Sequence, residues 1–272
     1  MFRIPSELEK CFIDITKKVK LIKKQYILTL DFYESEFQHK NKSIEEINKK
    51  DLQSAWINYM ELAKGITGED DYESHQTART TSGLNEVEHE IRIQKYFASE
   101  WHEEFLDSYS KSILLMTYSL IEAHTKRICE IAEDEFNAAK RLKNYRSLEK
   151  GYINSCLDYL NAILGFQTNR LESKYIEEIN HLRIIRNIIT HANSFFSEAD
   201  KESIRSVIGN QENGLSINEY EGNQLIIRKP RYVFSVFIYR SIYCYCQPQS
   251  LQTLFKRWHP FHCFIVQPIV YF

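Results

Sequence analysis

The chain is predicted to be all-α with one short β-hairpin before its last helix, on three observations. Apolar residues recur at spacings of three and four over long stretches, the mark of helices with one buried face. Glycine and proline are scarce, 8 and 5 of 272 residues, so few positions force a break. One pair of short segments, Leu215–Asn218 and Gln224–Arg228, alternates in polarity around Glu221-Gly222-Asn223, a turn signal. A chain of this length can bury a sizeable core, as one large or two modest domains.

The elements follow in order. Residues 6 to about 38 read as a helix, with Leu8, Phe12, Ile15, Val19, Ile22, Tyr26, Leu30 and Tyr33 on one stripe. Lys17, Lys18, Lys20, Lys23 and Lys24 beside it fit a solvated face better than an RNA contact. Ser43-Ile-Glu-Glu46 reads as a capping box that opens a second helix to about Ala63. Residues 64–85 lose periodicity and gather Gly65, Gly68, Gly83, acids and Ser/Thr, the pattern of a linker or loop. His75 and His89 stand alone and read as surface histidines.

A helical run then spans about 87–139, with a break expected near Ser99. Its second half places Phe105, Tyr109, Ile113, Met116, Leu120, His124, Ile128 and Ile131 along one core stripe. The basic connector Lys140-Arg141-Leu-Lys143-Asn-Tyr-Arg146 precedes a helix from Ser147 to Leu164 that ends near Gly165. The next helix, about 170–192, buries Leu171, Tyr175, Ile179, Leu182, Ile185 and Ile189. After the hairpin, Pro230 opens the last helix.

Chemistry concentrates in His181-Leu-Arg-Ile-Ile-Arg186-Asn187-Ile-Ile-Thr-His191. Folding alone gives no reason to set Arg186, Asn187 and His191 among four isoleucines. Asn187 and His191 are i,i+4 neighbours on one stripe, whereas Arg186 lies about 140° around the axis from His191. Arginine's length bridges part of that angle, and a second helix is the alternative means of completing the set. Histidine can move a proton on or off a ribose 2'-OH or a 5'-oxygen, arginine can hold phosphate oxygens as charge builds up, and asparagine can orient either partner. These side chains suit RNA cleavage without a metal or cofactor. His181, nearly three turns before His191, reads as a flank residue.

The spacing Arg186-Asn187-x-x-x-His191 at the end of an apolar helix resembles the HEPN family, whose signature is arginine, four to six residues, then histidine. Tyr118-Ser-Leu-Ile-Glu-Ala-His124 resembles the family's earlier long helix, and residues 214–228 resemble the hairpin that follows its motif helix. The likeness covers about residues 96–247. It implies a helical bundle that dimerises through the motif helices, bringing two Arg/His sets into one cleft. It also implies a metal-independent endoribonuclease that leaves 2',3'-cyclic phosphate and 5'-hydroxyl ends, often as a toxin or antiviral effector restrained by an antitoxin. Under it, Arg186 stabilises the phosphorane, His191 is the acid/base and Asn187 positions. Ser119 and Glu122 would support the site if their helix packs on the motif helix, although a Glu122–Lys126 ion pair explains Glu122 equally well. A noncatalytic RNA-binding or interaction module of the same family is the rival.

On this reading residues 1–85 are an N-terminal helical module and loop, 86–247 the HEPN-like domain, and 248–272 an aromatic tail that packs on the body or a partner. The net charge of -2 does not advertise nucleic acid, but its distribution is uneven. Residues 222–272 contain no acid and carry +6, which leaves -8 for the rest. Arg228, Lys229 and Arg231 there, with Lys140, Arg141 and Lys143, are the candidate RNA contacts; a basic surface without a ligand fits that segment equally. Cys244, Cys246, His259, His262 and Cys263 are zinc-ligand types, but Cys-x-Cys is tight and Pro260 splits the histidines, so buried thiols and a surface turn fit better. Six cysteines without a framework and a start lacking an apolar signal segment point to the cytoplasm. No run approaches the roughly 20 apolar residues of a membrane span.

Overall fold

The computed structural model describes residues 7–66, 71–135, 137–138, 140–144, 151–162, 173–208, 215–219 and 222–227. Its elements are α1 (Glu7–Ala63), α2 (Tyr72–Thr81), α3 (Leu84–Glu135), α4 (Tyr152–Ala162), α5 (Ser173–Ala192) and α6 (Lys201–Ile208). Short 3-10 turns stand at Leu142–Asn144 and Glu198–Asp200, and β1 (Leu215–Asn218) pairs antiparallel with β2 (Gln224–Ile227). The all-α class with a short hairpin is thus observed. Among the described residues no helix is long and apolar enough to cross a membrane. Pro230, the helix expected to open there and the 248–272 tail lie outside them.

Packing divides the chain into two compact units, residues 1–23 with 110–272, and residues 24–109. The sequence boundary at 85/86 marks a change of pattern; the packing division falls elsewhere.

In the first unit, α1 contributes Ile15 and Val19, α3 Leu114, Tyr118 and Ile121, and α5 Leu182 and Ile185 to one core, closed by α6 and the hairpin. A second cluster gathers Leu8, Ile128, Cys129, Cys156, Tyr159 and Leu160. The expected α3 stripe is buried at Ile113, His124, Ile128 and Ile131, and the buried face is wider than expected, taking in Leu114, Thr117 and Tyr118, while Met116 is 43 % exposed. A helix packed on two sides buries residues beside its apolar stripe, and only packing decides which.

Three further expectations are corrected. α1 runs unbroken through Ser43, so no capping box opens a second helix; His39-Lys-Asn-Lys42 contains nothing that forbids helical dihedrals, and Ile44 is buried. α3 likewise shows no break at Ser99, beside the fully buried Ala98. The supposed linker contains α2, capped by Asp71, whose carboxylate accepts from the Ser74 N–H at 3.1 Å. Gly83, at φ +74, makes the turn into α3. His75 accordingly is half-buried, with Nδ1 3.0 Å from the Tyr59 hydroxyl.

The second unit is held by rings: Tyr26 stacks on Tyr109, Tyr109 on Phe105, and Phe105 on Tyr33. Asn48 ties α1 to α3 by donating to Gln94 at 3.1 Å.

Within the first unit Asp14 pins α1 to α3. Its Oδ2 lies 2.7 Å from Lys18 Nζ and 3.1 Å from His124 Nε2, and His124 Nδ1 donates to the Leu120 carbonyl at 2.9 Å. The Lys18 and His124 hydrogen bonds hold the Asp14 carboxyl below the usual range. A carboxyl depressed on folding contributes stability above its unfolded value of about 3.9, and that contribution is lost as pH falls through the folded value. Asp14→Asn is therefore expected to lower Tm at pH 7, with the difference from wild type narrowing as pH falls below the unfolded value of about 3.9; melts across a series of acidic pH values test this.

Candidate functional site

The buried stripe of α5 sets its rotation. Leu182 and Ile185 face the core, which leaves Arg186 half-buried and Asn187, Thr190 and His191 exposed. The helix stops after Ala192 because Asn193 and Ser194 adopt φ +51 and +71. Asparagine tolerates this left-handed region well. Phe195 N–H then donates to Ala192 O at 2.8 Å and Ser194 N–H to Ile188 O at 3.1 Å, satisfying carbonyls that a helix end leaves open.

The chain leaving the helix joins the hairpin. Leu225 N–H donates to Ser194 O at 2.7 Å, Phe196 N–H to Asn223 O at 3.3 Å, and Phe195 bridges Gln224. The hairpin turn itself needs positive φ at Gly222 and Asn223. His191 thus stands at a helix end sewn to a sheet edge.

The angular gap between Arg186 and His191 closes within one chain. Arg186 Nη1 lies 3.0 Å from Asn187 Oδ1, to which it donates, and 3.5 Å from His191 Nε2. A guanidinium N–H can donate only to a ring nitrogen that carries no proton. Of the two routes open in the sequence, the length of the arginine side chain brings the three side chains together within one chain.

The base of Arg186 is supported from α3. Its guanidinium carbon lies 5.9 Å from the centre of the Tyr118 ring, a cation–π contact worth about 0.5–1 kcal/mol where partly exposed. Burial pushes the Tyr118 hydroxyl up, the Glu122 carboxylate adds to this, and the Arg186 and Arg183 charges partly offset it. Tyr118 therefore stays a neutral phenol at physiological pH.

Other candidates fall differently. Ser119 is exposed, one residue round the helix from Tyr118. Glu122 is half-buried and acts on Tyr118, with no ion pair to Arg186 or His191 among the described residues; Lys126 pairs with Glu130 at 3.6 Å instead. Arg141 is engaged by Glu133 and Asp134 at 3.9 and 3.7 Å, and the Lys140 carbonyl accepts from Tyr159 at 2.7 Å. Lys143 is exposed and shares with Arg141 a depression of about 580 Å³ that has no lining residue in common with the groove beside Asn187. The connector thus does not extend the Arg186 cluster. Arg228, Lys229, Arg231 and the Cys/His residues 244–263 lie outside the described residues. Among those described, no three His, Cys, Asp or Glu side chains could hold a metal ion. His181 faces Glu177, one turn before it, at 3.9 Å.

Two residues carry more than their sequence context announces. Tyr118 sits in the quoted stretch beside Ser119 and Glu122, and only the rotation of α3 makes it the one that meets Arg186. Arg183 is at i–3 from Arg186, a spacing that already puts both on one face. Its side chain crosses Gly151, whose φ is +76; a Cβ there would lie 2.9 Å from Arg183 Cδ and Nη1. Gly151→Ala is expected to cost about 1–2 kcal/mol from backbone strain alone, with Arg183 displaced, as measured by urea denaturation. Against family models, curated proteins and solved structures, the chain has no match.

Proposed function

We propose that this chain is a metal-independent endoribonuclease of HEPN type, acting as a toxin or antiviral effector in the cytoplasm. The observation that carries the reading is the contact of Arg186 with both Asn187 and His191 on an exposed helix face. A polymer can reach such a face, and the three groups match the needs of phosphodiester transfer to a neighbouring 2'-hydroxyl.

In the proposed reaction the 2'-oxygen attacks phosphorus as its proton leaves to a base. The phosphorus–5'-oxygen bond breaks, and the departing oxygen takes a proton. His191 serves as the acid/base, its Nε2 lone pair receiving a proton or its protonated form giving one. Arg186, permanently charged, moves from Asn187 and His191 onto the phosphate oxygens, where its two-pronged donor set matches the developing charge. Asn187, released from Arg186, has its amide free to orient the ribose or phosphate. Two copies meeting through α5 would line one cleft with two such sets, and an antitoxin that covers this face would silence both.

Purified protein is expected to cut RNA in EDTA, leaving cyclic phosphate and 5'-hydroxyl ends. His191→Ala should lower the rate by at least about a hundredfold, the usual scale of acid–base assistance, with Tm unchanged for this exposed residue. End-group analysis of the products checks the chemistry; 3'-hydroxyl ends, or equal cutting by wild type and His191→Ala, would sink it. RNA held uncut by wild type and released by Arg186→Ala would instead identify the noncatalytic binding module.

A further inference from the structure

A groove of about 640 Å³ lies along the last turns of α5, a volume in the range of small-molecule sites. Ile184, Ile188 and Ala192 line it from the helix, and Phe195 and Phe196 from the segment that follows. Phe195 keeps 41 % of its surface exposed although its backbone is fixed at both sides by the Ala192 hydrogen bond and the Gln224 bridge. A large ring held rigidly in the open is a poor use of apolar surface for folding but a good platform for a flat ligand.

The polar lining is as specific. Asn187 belongs both to this groove and to the Arg186 cluster. Asp200 lines it too, and its carboxylate is oriented by the Ser197 hydroxyl, which donates to Oδ2 at 2.5 Å. A carboxylate accepts only, and each oxygen can take more than one hydrogen bond.

We propose that this groove binds one nucleobase of the RNA, and that the base is guanine, seated next to the phosphate held by Arg186. The identity of the polymer rests on the ribonuclease reading; the base assignment rests on the donor pattern. The Watson–Crick edge of guanine offers two adjacent donors, N1–H and N2–H, to the two oxygens of Asp200. Adenine and cytosine set one amine beside a ring acceptor that the carboxylate repels, and uracil flanks its one N–H with two carbonyls. The apolar walls and the Phe195 ring accept the face of any base, so selection falls to Asp200. Asn187, shared with the cluster, places the sugar–phosphate of that nucleotide beside Arg186 and His191.

The test is a titration of the full chain with 3'-GMP, 3'-AMP, 3'-CMP and 3'-UMP, followed by calorimetry or NMR. Wild type is expected to bind 3'-GMP about tenfold or more tightly than the others, the scale of a bidentate base contact. Asp200→Asn, which can still accept from Ser197, should erase that preference and leave the other three affinities within about twofold, while Phe195→Ala weakens all four alike. Equal affinities in wild type, or a guanine preference that survives Asp200→Asn, would overturn the assignment. So would conversion of a dimer to monomers by Phe195→Ala with nucleotide binding unchanged, which would make the groove a contact between copies. Mapping of RNA cuts keeps the two readings apart. Cleavage without preference for sites at guanine defeats the base assignment and spares the nuclease. Intact RNA together with selective 3'-GMP binding defeats the nuclease and spares the base site.

Discussion

The hydrogen bond from Leu225 N–H to Ser194 O, with the left-handed pair Asn193–Ser194 that makes it possible, is the constraint on which the arrangement of the site depends. Left-handed dihedrals at two successive non-glycine residues cost energy, of order 1–2 kcal/mol each, and persist because the surrounding contacts over-determine them. Here those contacts are two carbonyls of the helix end and the open edge of β2. The same reversal brings Phe195 and Phe196 alongside α5 and begins the path to Asp200. A straight continuation of the helix would remove the groove and bury nothing in its place.

Rotation of α5 is the second determinant. Leu182 and Ile185 are committed to the core, and helical geometry then distributes everything else. Arg186 lands at the margin, half-buried, with its guanidinium beside the Tyr118 ring. Asn187 and His191 land in solvent. A permanent charge at a margin is cheap to keep and available to a phosphate, whereas the same charge in the core would demand a buried partner.

Much of this was legible in the residues, for physical reasons that differ by element. Periodicity identified α5 and the buried Leu182–Ile185 stripe, and the Gly222-Asn223 turn marked the hairpin, because both depend on neighbours in sequence. The grouping of Arg186 with Asn187 and His191 also follows from helical spacing, up to the length of one arginine. What sequence could not resolve is what packing decides. Whether Tyr118 or Ser119 faces α5 turns on about 100° of rotation of α3, which polarity does not report. The continuity of α1 through Ser43 and of α3 through Ser99 went unseen because serine and glutamate suit a helix start and a helix interior alike. The place of Asp200 in the groove was invisible, since it is reached only through the reversal at Asn193–Ser194. α2 was hidden by the glycines around it, though Asp71 is a cap by type.

The stitch between residues 194–196 and 223–225 joins partners about thirty residues apart in the chain. Contacts of that span form only after the intervening segment exists and its loop closes. During synthesis, therefore, α5 is complete well before its end is fixed, and the turn holding His191 and the wall of the groove takes its final shape only once β2 has been made. A chain truncated between Ala192 and Gln224 would carry every residue of the Arg186 cluster and lack the contacts that fix the turn beside it, so that turn takes shape only when nearly all of the described fold is in place.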